Sequence, residues 1–524
     1  MSFHGGEGNL RDQVVRAGAI IIFLSVIDKV LAVLKEVLTA RRFGVAAELD
    51  VFNIAFAVPG ITLLLCSGAL VSAFVPTFIE WRERLSREEA YARTLALFWC
   101  YSIIFILLAA AGILFAPLYF PLIGYGFEES QLALGVTIQR WLILNILLEG
   151  PPIILVGVLY AEKRFFMLYA APLCINASLI GWLFWGSHAG IYALVWGTLT
   201  GTALKVLLVL AALRHGGFKL CHSPSPGSLG IVRGFTLLAL PLMGSELIAN
   251  CNLLIDQVMA TDLSRGSVST LRYAFRINEL PVQVVVMALS RAIFPFISEE
   301  ALAGNYTRLQ DIFKRCVVFL GFLTFPITCL VALFGEEIVS ILLQRGAFDT
   351  AATRETAGTL MFYSLGLFFG AYNFINGTFF SALKNTRPLF AMGCLSIGLN
   401  IGLNMILMNF FGVRGIALAT TLTFSVTTFG FIVLLKKRLA IERFRDLLRS
   451  LIRLLAAALC MFLLGAVLRD QALFYGVHRL FYFPLISLLC LAVYVGLVYT
   501  LRTAELASCF DILFGWRRLI RGFR

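Results

Sequence analysis

Long apolar runs dominate the chain, and short polar stretches separate them. An α-helix needs about 20 mostly apolar residues to cross the hydrocarbon core of a bilayer, and its backbone groups must bond within the segment because lipid offers them no partners. The chain is therefore predicted to be an all-α polytopic membrane protein. The runs predict about fourteen spans, with approximate limits 13–38, 50–79, 91–119, 134–161, 166–185, 190–213, 232–261, 268–298, 312–343, 355–383, 388–411, 415–435, 447–468 and 479–501.

Composition supports this class: 60% of the 524 residues are hydrophobic and only 14% are charged. The net charge of +13 does not indicate nucleic acid, because the basic residues lie in short loops between apolar spans. If the N-terminus is inside, the inside segments hold roughly 27 Lys and Arg residues and the outside loops roughly 8. We therefore expect a multi-pass protein of the cytoplasmic membrane with both termini in the cytoplasm.

The cysteines and motifs do not predict an enzyme. The eleven cysteines are scattered without a CxxC pair, as expected of small packing residues. No nucleotide-binding loop or zinc-protease motif is present in a suitable context. Any pumping is expected to draw on an ion gradient or the membrane potential, and no cofactor is predicted beyond a candidate sodium ion discussed below.

An internal repeat predicts the domain plan. Residues 55–80 and 274–299 align without gaps, with matching Pro76 and Pro295 and matching Glu80 and Glu299. The repeated stretches are six spans apart, an even number, so the two halves have the same topology and are related by an axis along the membrane normal. This predicts two six-helix lobes, at 1–222 and 223–440, and two extra C-terminal helices with a basic tail at 441–524. A central cleft between the lobes is predicted to hold the substrate.

The first span carries four charges in its second half: Asp28, Lys29, Lys35 and Glu36. On a helix they fall within about a third of the circumference. Charged residues inside a membrane usually face a bundle interior or an aqueous cavity, so we interpret them as a charged wall of the cleft. The alternative is a structural network of Asp–Lys and Lys–Glu pairs that holds helices together.

A second charged cluster lies in the repeat partner, in the stretch RYAFRINELP. Arg272, Arg276 and Glu279 are spaced by four and three residues, so they share a helix face. Bases on both sides of a cleft suit an anionic group such as pyrophosphate, which Arg binds by paired hydrogen bonds and Lys as a point charge. An Arg276–Glu279 pair within the helix is compatible with that function.

A third set of polar residues offers oxygen ligands at membrane depth: Asp256, Asn400, Asn404 and Thr420. Such ligands suit a hard cation. From the spacing alone, hydrogen bonds between helices are the favoured interpretation.

Several stretches resemble the MviN/MurJ family, lipid II flippases of the multidrug/oligosaccharidyl-lipid/polysaccharide exporter superfamily. They are ARRFGVAAELDVFNIAFAVPG (40–60), GALVSAFVPTF (68–78), GSVSTLRYAFRINELP (266–281), ALSRAIFPFIS (288–298) and LLQRGAFDTAAT (342–353). The resemblance covers essentially the whole chain. It implies two lobes around a cationic cavity, and movement of undecaprenyl-pyrophosphate-linked peptidoglycan precursor from the inner to the outer leaflet by alternating access.

The resemblance also assigns roles to residues. The family's first-helix arginines correspond to Lys29 and Lys35, its eighth-helix arginine to Arg276, and an acidic residue after the first helix to Asp50. Some members hold sodium with a ligand spacing that resembles Asp256, Asn400, Asn404 and Thr420. This chain departs from the family in its second helix: the stretch PGITLLLCSGA (59–69) lacks the usual Arg pair and the acidic residue before Gly-Ala.

The leading hypothesis is a lipid II flippase for cell wall synthesis and cell shape. Its partners would be the lipid substrate, membrane lipids and cell wall synthesis proteins, and not nucleic acid. Two alternatives remain. One is a flippase for another polyprenyl-linked oligosaccharide. The other is a drug/cation antiporter of the same superfamily, for which cavity carboxylates rather than bases are expected.

Overall fold

The computed structural model describes residues 6–218, 228–383, 385, 387–439, 444–474 and 479–501, and within these ranges it contains helices and no strand. The first unit described below contains α1 Gly6–Phe43, α2 Ala47–Arg84, α3 Arg87–Ile123, α4 Glu129–Glu149, α5 Pro152–Ala161, α6 Phe165–Ala170, α7 Leu173–Trp185, α8 Tyr192–His215 and α9 Ser228–Ala260. The later helices are α10 Ser267–Pro281, α11 Met287–Leu302, α12 Tyr306–Leu343, α13 Thr350–Leu365, α14 Leu367–Ala382, α15 Arg387–Phe411, α16 Val413–Leu439, α17 Phe444–Phe474 and α18 Arg479–Thr500.

The helices confirm the predicted fold class. In the described part of the chain, twelve helical segments are long and apolar enough to cross a membrane, and the count is thirteen if α13 and α14, bent by 47° at their junction, form one span. The sequence predicted about fourteen. Helix α1, which is 38 residues long, lies outside the set of twelve.

The chain divides into two compact units. The first comprises Met1–Ser269 with Arg345–Asp349, and the second comprises Thr270–Gln344 with Thr350–Arg524. In the first unit α2 packs against α4, α5 and α9. Helix α9 corresponds to the seventh predicted span, 232–261, which therefore belongs to this unit. The predicted boundaries at 222 and 440 follow the repeat rather than packing, and they remain a prediction.

Each unit has its own apolar core. In the first unit, stacked aromatic rings of α2 and α3, including Phe74, Phe78 and Tyr91, are buried. In the second unit α12 packs against α13, α14 and α17, and Phe313 meets Phe379 edge to face. The two extra C-terminal helices, α17 and α18, join this second core.

The repeated stretches form different helices. In the first unit α2 continues through Pro59 and Pro76 without interruption. In the second unit α10 ends at Pro281, and a π-helical turn at Val282–Val286 leads into α11. Proline lacks an N–H and can disturb a helix, but α2 continues through two prolines, so Pro281 alone does not explain the π-helical turn.

The segment Arg345–Asp349 packs onto the end of α1. The Ala347 N–H donates to the carbonyl of Arg41 at 2.8 Å. Gly44 and Gly346 both have positive φ, of 55° and 59°, and a Cβ on either glycine would collide with the facing backbone. Glycine is the residue type that allows this backbone conformation and close approach.

Candidate functional site

The charged face of α1 contains a pair and an anchored acid. The Lys35 Nζ lies 2.9 Å from the Glu36 Oε1, and both side chains are about one-fifth exposed. Asp28 is half-buried and accepts a hydrogen bond of 3.0 Å from the Asn176 side chain of α7. Lys29 is exposed. A Lys–Glu pair, as in the structural alternative, is therefore present within α1, and the Lys35 side chain remains partly exposed.

Asp50 lies in the first turn of α2 and is almost completely buried. Its carboxylate accepts hydrogen bonds from the backbone N–H of Gly266 at 2.6 Å, and from the N–H and hydroxyl of Ser269 at 2.7 and 2.6 Å. These donors precede or begin α10, where backbone N–H groups lack helical partners and a negative charge is favourable. This geometry gives Asp50 a structural role, while its predicted contact with substrate remains a prediction.

The basic residues of the second unit lie on α10. Arg272 is half-buried, Arg276 is exposed and Glu279 is half-buried. Among the residues that the structure describes, none forms a hydrogen bond or an ion pair with the Arg276 guanidinium. The alternative Arg276–Glu279 pair is therefore not formed here, and anion binding by Arg276 remains a prediction.

The candidate sodium ligands are all buried. Asp256 belongs to α9 in the first unit, and the other three belong to α15 and α16 in the second. The Asn404 amide donates to the Asn400 Oδ1 at 3.3 Å, and the Thr420 hydroxyl donates to the Ile416 carbonyl at 3.2 Å. The sodium site predicted from these four residues remains a prediction.

Sequence reasoning missed the partners of two acidic residues in the first unit. Glu149 at the end of α4 forms an ion pair with Lys205 of α8, and both side chains are less than one-fifth exposed. Glu246 lies in the middle of α9, and a Cβ on Gly68 of α2 would lie 2.9 Å from its Oε1. Each acid is visible in the sequence as a charge within an apolar run, which is the signal that could have found it.

A third group of contacts that the sequence did not predict connects α17 and α18 to α12. Tyr482 of α18 donates to the Glu337 Oε1 at 2.7 Å, and the Arg469 guanidinium of α17 lies 3.4 Å from the same oxygen. Arg469 also donates to the Leu333 carbonyl at 2.6 Å, next to a kink at Phe334. Arg469 therefore neutralises a buried carboxylate and bonds a carbonyl beside the kink.

Comparison with known proteins identifies a family. A family model described as "Lipid II flippase MurJ" matches residues 39–488. A protein of Borreliella burgdorferi named "Probable lipid II flippase MurJ" is 27% identical over 473 residues, which cover 87% of this chain and 89% of the relative. A "Lipid II flippase MurJ" of Burkholderia cenocepacia is 27% identical over 359 residues, covering 66% of this chain and 68% of the relative.

Solved structures show the same fold. A structure of "Lipid II flippase MurJ, inward closed conformation" matches with a TM-score of 0.79 and 21% identity, over 96% of this chain and all of that one. An inward-facing multidrug resistance MATE family transporter of the MOP superfamily matches with a TM-score of 0.65 and 12% identity, over 79% of this chain and 94% of that one.

Proposed function

Since the chain belongs to the lipid II flippase MurJ family, we propose that it moves lipid II from the inner to the outer leaflet of the bacterial cytoplasmic membrane. The family match over residues 39–488 carries this proposal. The protein would act as a transporter without catalytic chemistry, with both termini in the cytoplasm. Its other partners would be cell wall synthesis proteins.

The basic residues explain how such a lipid would be held. Arg276 is exposed and Lys35 is partly exposed on helices of a membrane protein, and charges at membrane depth are costly unless they face water or a ligand. A pyrophosphate offers several acceptor oxygens, and hydrogen bonds to charged groups contribute roughly 1.5–3 kcal/mol each. Arg272 is a further candidate donor one turn before Arg276, in a chain whose second helix lacks the family's arginine pair.

Complementation of a conditional lipid II flippase mutant tests the function. We expect the wild-type chain to support growth, and Lys35→Ala or Arg276→Ala to abolish it at normal protein levels. Lys35→Arg keeps the charge and should remain active. Arg84→Ala, which removes an exposed base paired with Glu80, is the control and should be active.

Two other results would support the alternative functions. A chain that fails to complement, yet flips another polyprenyl-linked oligosaccharide in vesicles, would be a flippase for that lipid. The structural likeness to MATE transporters makes cation-coupled drug export the second alternative. Drug efflux without lipid II movement would establish it.

We also propose that Asp256, Asn400, Asn404 and Thr420 bind sodium. A ligand that binds only the folded protein raises its stability by mass action. Sodium should therefore raise the melting temperature relative to choline at equal ionic strength, and Asp256→Ala should remove the increase. Equal melting temperatures of the wild type in the two salts would favour hydrogen bonding between helices instead.

A further inference from the structure

Glu246 is an acid in an otherwise apolar stretch of α9. From Gly234 to Ile255 it is the only charged residue in the sequence. Its side chain is half-buried. Ionised carboxylates inside a membrane are expensive, and those that persist commonly take part in ion or proton pathways.

The carboxylate packs against α2 at a glycine. A Cβ on Gly68 would lie 2.9 Å from the Glu246 Oε1 and 3.2 Å from its carboxyl carbon, so the absence of a side chain at Gly68 makes room for the acid. Gly68 directly follows Ser67, the position of the acidic residue that the resembled family has before Gly-Ala. The carboxylate from α9 therefore lies where α2 contributes no charge of its own.

Glu246 forms no ion pair with a base among the residues that the structure describes. Within the described residues, no side chain forms an ion pair or hydrogen bond with this carboxylate, and the Asn250 amide bonds only the Glu246 backbone carbonyl. Helix α9 packs against α2 and α3. The charged residues of α2 lie at its ends, the nearest to Gly68 in sequence being Glu80, and those of α3 lie in its first two turns. The other titratable residues of these two helices between their charged ends are Cys66, Cys100, Tyr101 and Tyr119.

A metal cation is a poor match for this position. Hard cations take several oxygen ligands, whereas Glu246 offers one carboxylate. A proton needs a single oxygen, and its binding removes the cost of a charge in a low-dielectric environment.

We propose that Glu246 is a proton-binding site of the first unit. The step is the transfer of one proton from hydronium to a carboxylate oxygen, which yields a neutral carboxylic acid and water. Release returns the proton to water. If the proposed lipid transport is correct, proton uptake and release at Glu246 accompany that cycle, and this second part rests on the proposed function.

Infrared difference spectroscopy of the purified protein in lipid tests proton binding directly. Between acid and neutral pH the wild type should show a carboxylic acid carbonyl component, beyond those of its exposed carboxylates, that is missing in Glu246→Gln, a neutral variant of nearly the same shape. Glu80→Gln, which removes an exposed carboxylate of α2, should retain this component. The same component in Glu246→Gln, or no such component in the wild type, would overturn the proposal.

Transport in vesicles tests the coupling separately. We expect the flipping rate of the wild type to change by about tenfold per pH unit on its limiting side, as for one titrating group, and that of Glu246→Gln to change little. An unchanged pH profile in Glu246→Gln would remove the coupling. If the wild type does not flip lipid II, the proposed function fails, while the infrared result still decides whether Glu246 binds a proton.

Discussion

Glu149 and Glu246 are the same residue type in apolar helices of the same unit, and their surroundings differ. Glu149 has a basic partner, Lys205, on a neighbouring helix. Glu246 has a glycine opposite it and no basic partner in the described part of the chain. A paired carboxylate stays charged and fastens two helices, whereas an unpaired one is favoured in its neutral form. The two acids therefore differ in their partners, although both are glutamates in apolar helices.

The second unit repeats the paired arrangement. Glu337 is more deeply buried than Glu149, and it is held by Arg469 and Tyr482 from the two C-terminal helices. Both pairs join helices that are far apart in the sequence. Variants that remove or restore a partner therefore test the comparison.

Removal of Lys205 should have the largest effect. Lys205→Ala removes the basic partner of Glu149, whereas Glu337 keeps Tyr482 when Arg469 is removed, and breaking a buried pair typically costs about 3–5 kcal/mol. Chemical denaturation in detergent measures the loss. The double variant Lys205→Ala/Glu149→Ala removes both charges and should recover part of it; strictly additive losses would show that the two side chains do not interact.

Arg469→Ala should have the next largest effect. It removes the charge beside Glu337 and the hydrogen bond to the Leu333 carbonyl, and hydrogen bonds to charged groups are worth about 1.5–3 kcal/mol. We expect a loss of stability of that size by the same denaturation experiment. Tyr482→Phe removes only the hydroxyl contact and should cost less. A larger loss for Tyr482→Phe than for Arg469→Ala would contradict the assignment of Arg469 as the main partner.

The two matched glutamine variants should lose different amounts of stability. Glu149→Gln leaves Lys205 without a carboxylate and should destabilise the protein by about 1–3 kcal/mol, the cost of an unsatisfied buried group. Glu246 has no basic partner in the described part of the chain, so Glu246→Gln leaves no base without a carboxylate. The stability of this variant should change by less than about 0.5 kcal/mol. Equal losses in the two variants would remove the distinction between the two acids.

The exposed pair Glu128–Arg265 should have the smallest effect. The Arg265 guanidinium lies 2.6 Å from both carboxylate oxygens, and this hydrogen bonding and charge lower the pKa of Glu128. A lowered folded-state pKa adds stability above the unfolded-state pKa, and this contribution disappears as pH falls through the folded-state value. The melting temperature of the wild type should slightly exceed that of Glu128→Gln at neutral pH and converge with it in acid. A difference that grows in acid would contradict the sign of the shift.

For the charged residues of the candidate site, the sequence predicted some of the observed contacts and not others. The spacing of residues 28–36 predicted a charged face on α1, and the Lys35–Glu36 pair lies there. The sequence left a pair of Arg276 with Glu279 open, and the structure does not form it, because helical spacing alone does not fix the side-chain directions. For Asp50, the sequence indicated the acidic position but not its hydrogen bonds to Gly266 and Ser269, more than two hundred residues later.

By itself, the sequence determined that the chain is a bundle of membrane helices with an internal repeat and acids in apolar runs. These properties depend on the composition and order of neighbouring residues, because insertion into a bilayer responds to the summed polarity of one run of about 20 residues. Only the tertiary structure decided that Glu149 meets Lys205 and that Glu246 meets Gly68. Such partners depend on the rotation and packing of whole helices, and a difference of one residue, about 100° around the axis, turns a side chain away from its neighbour.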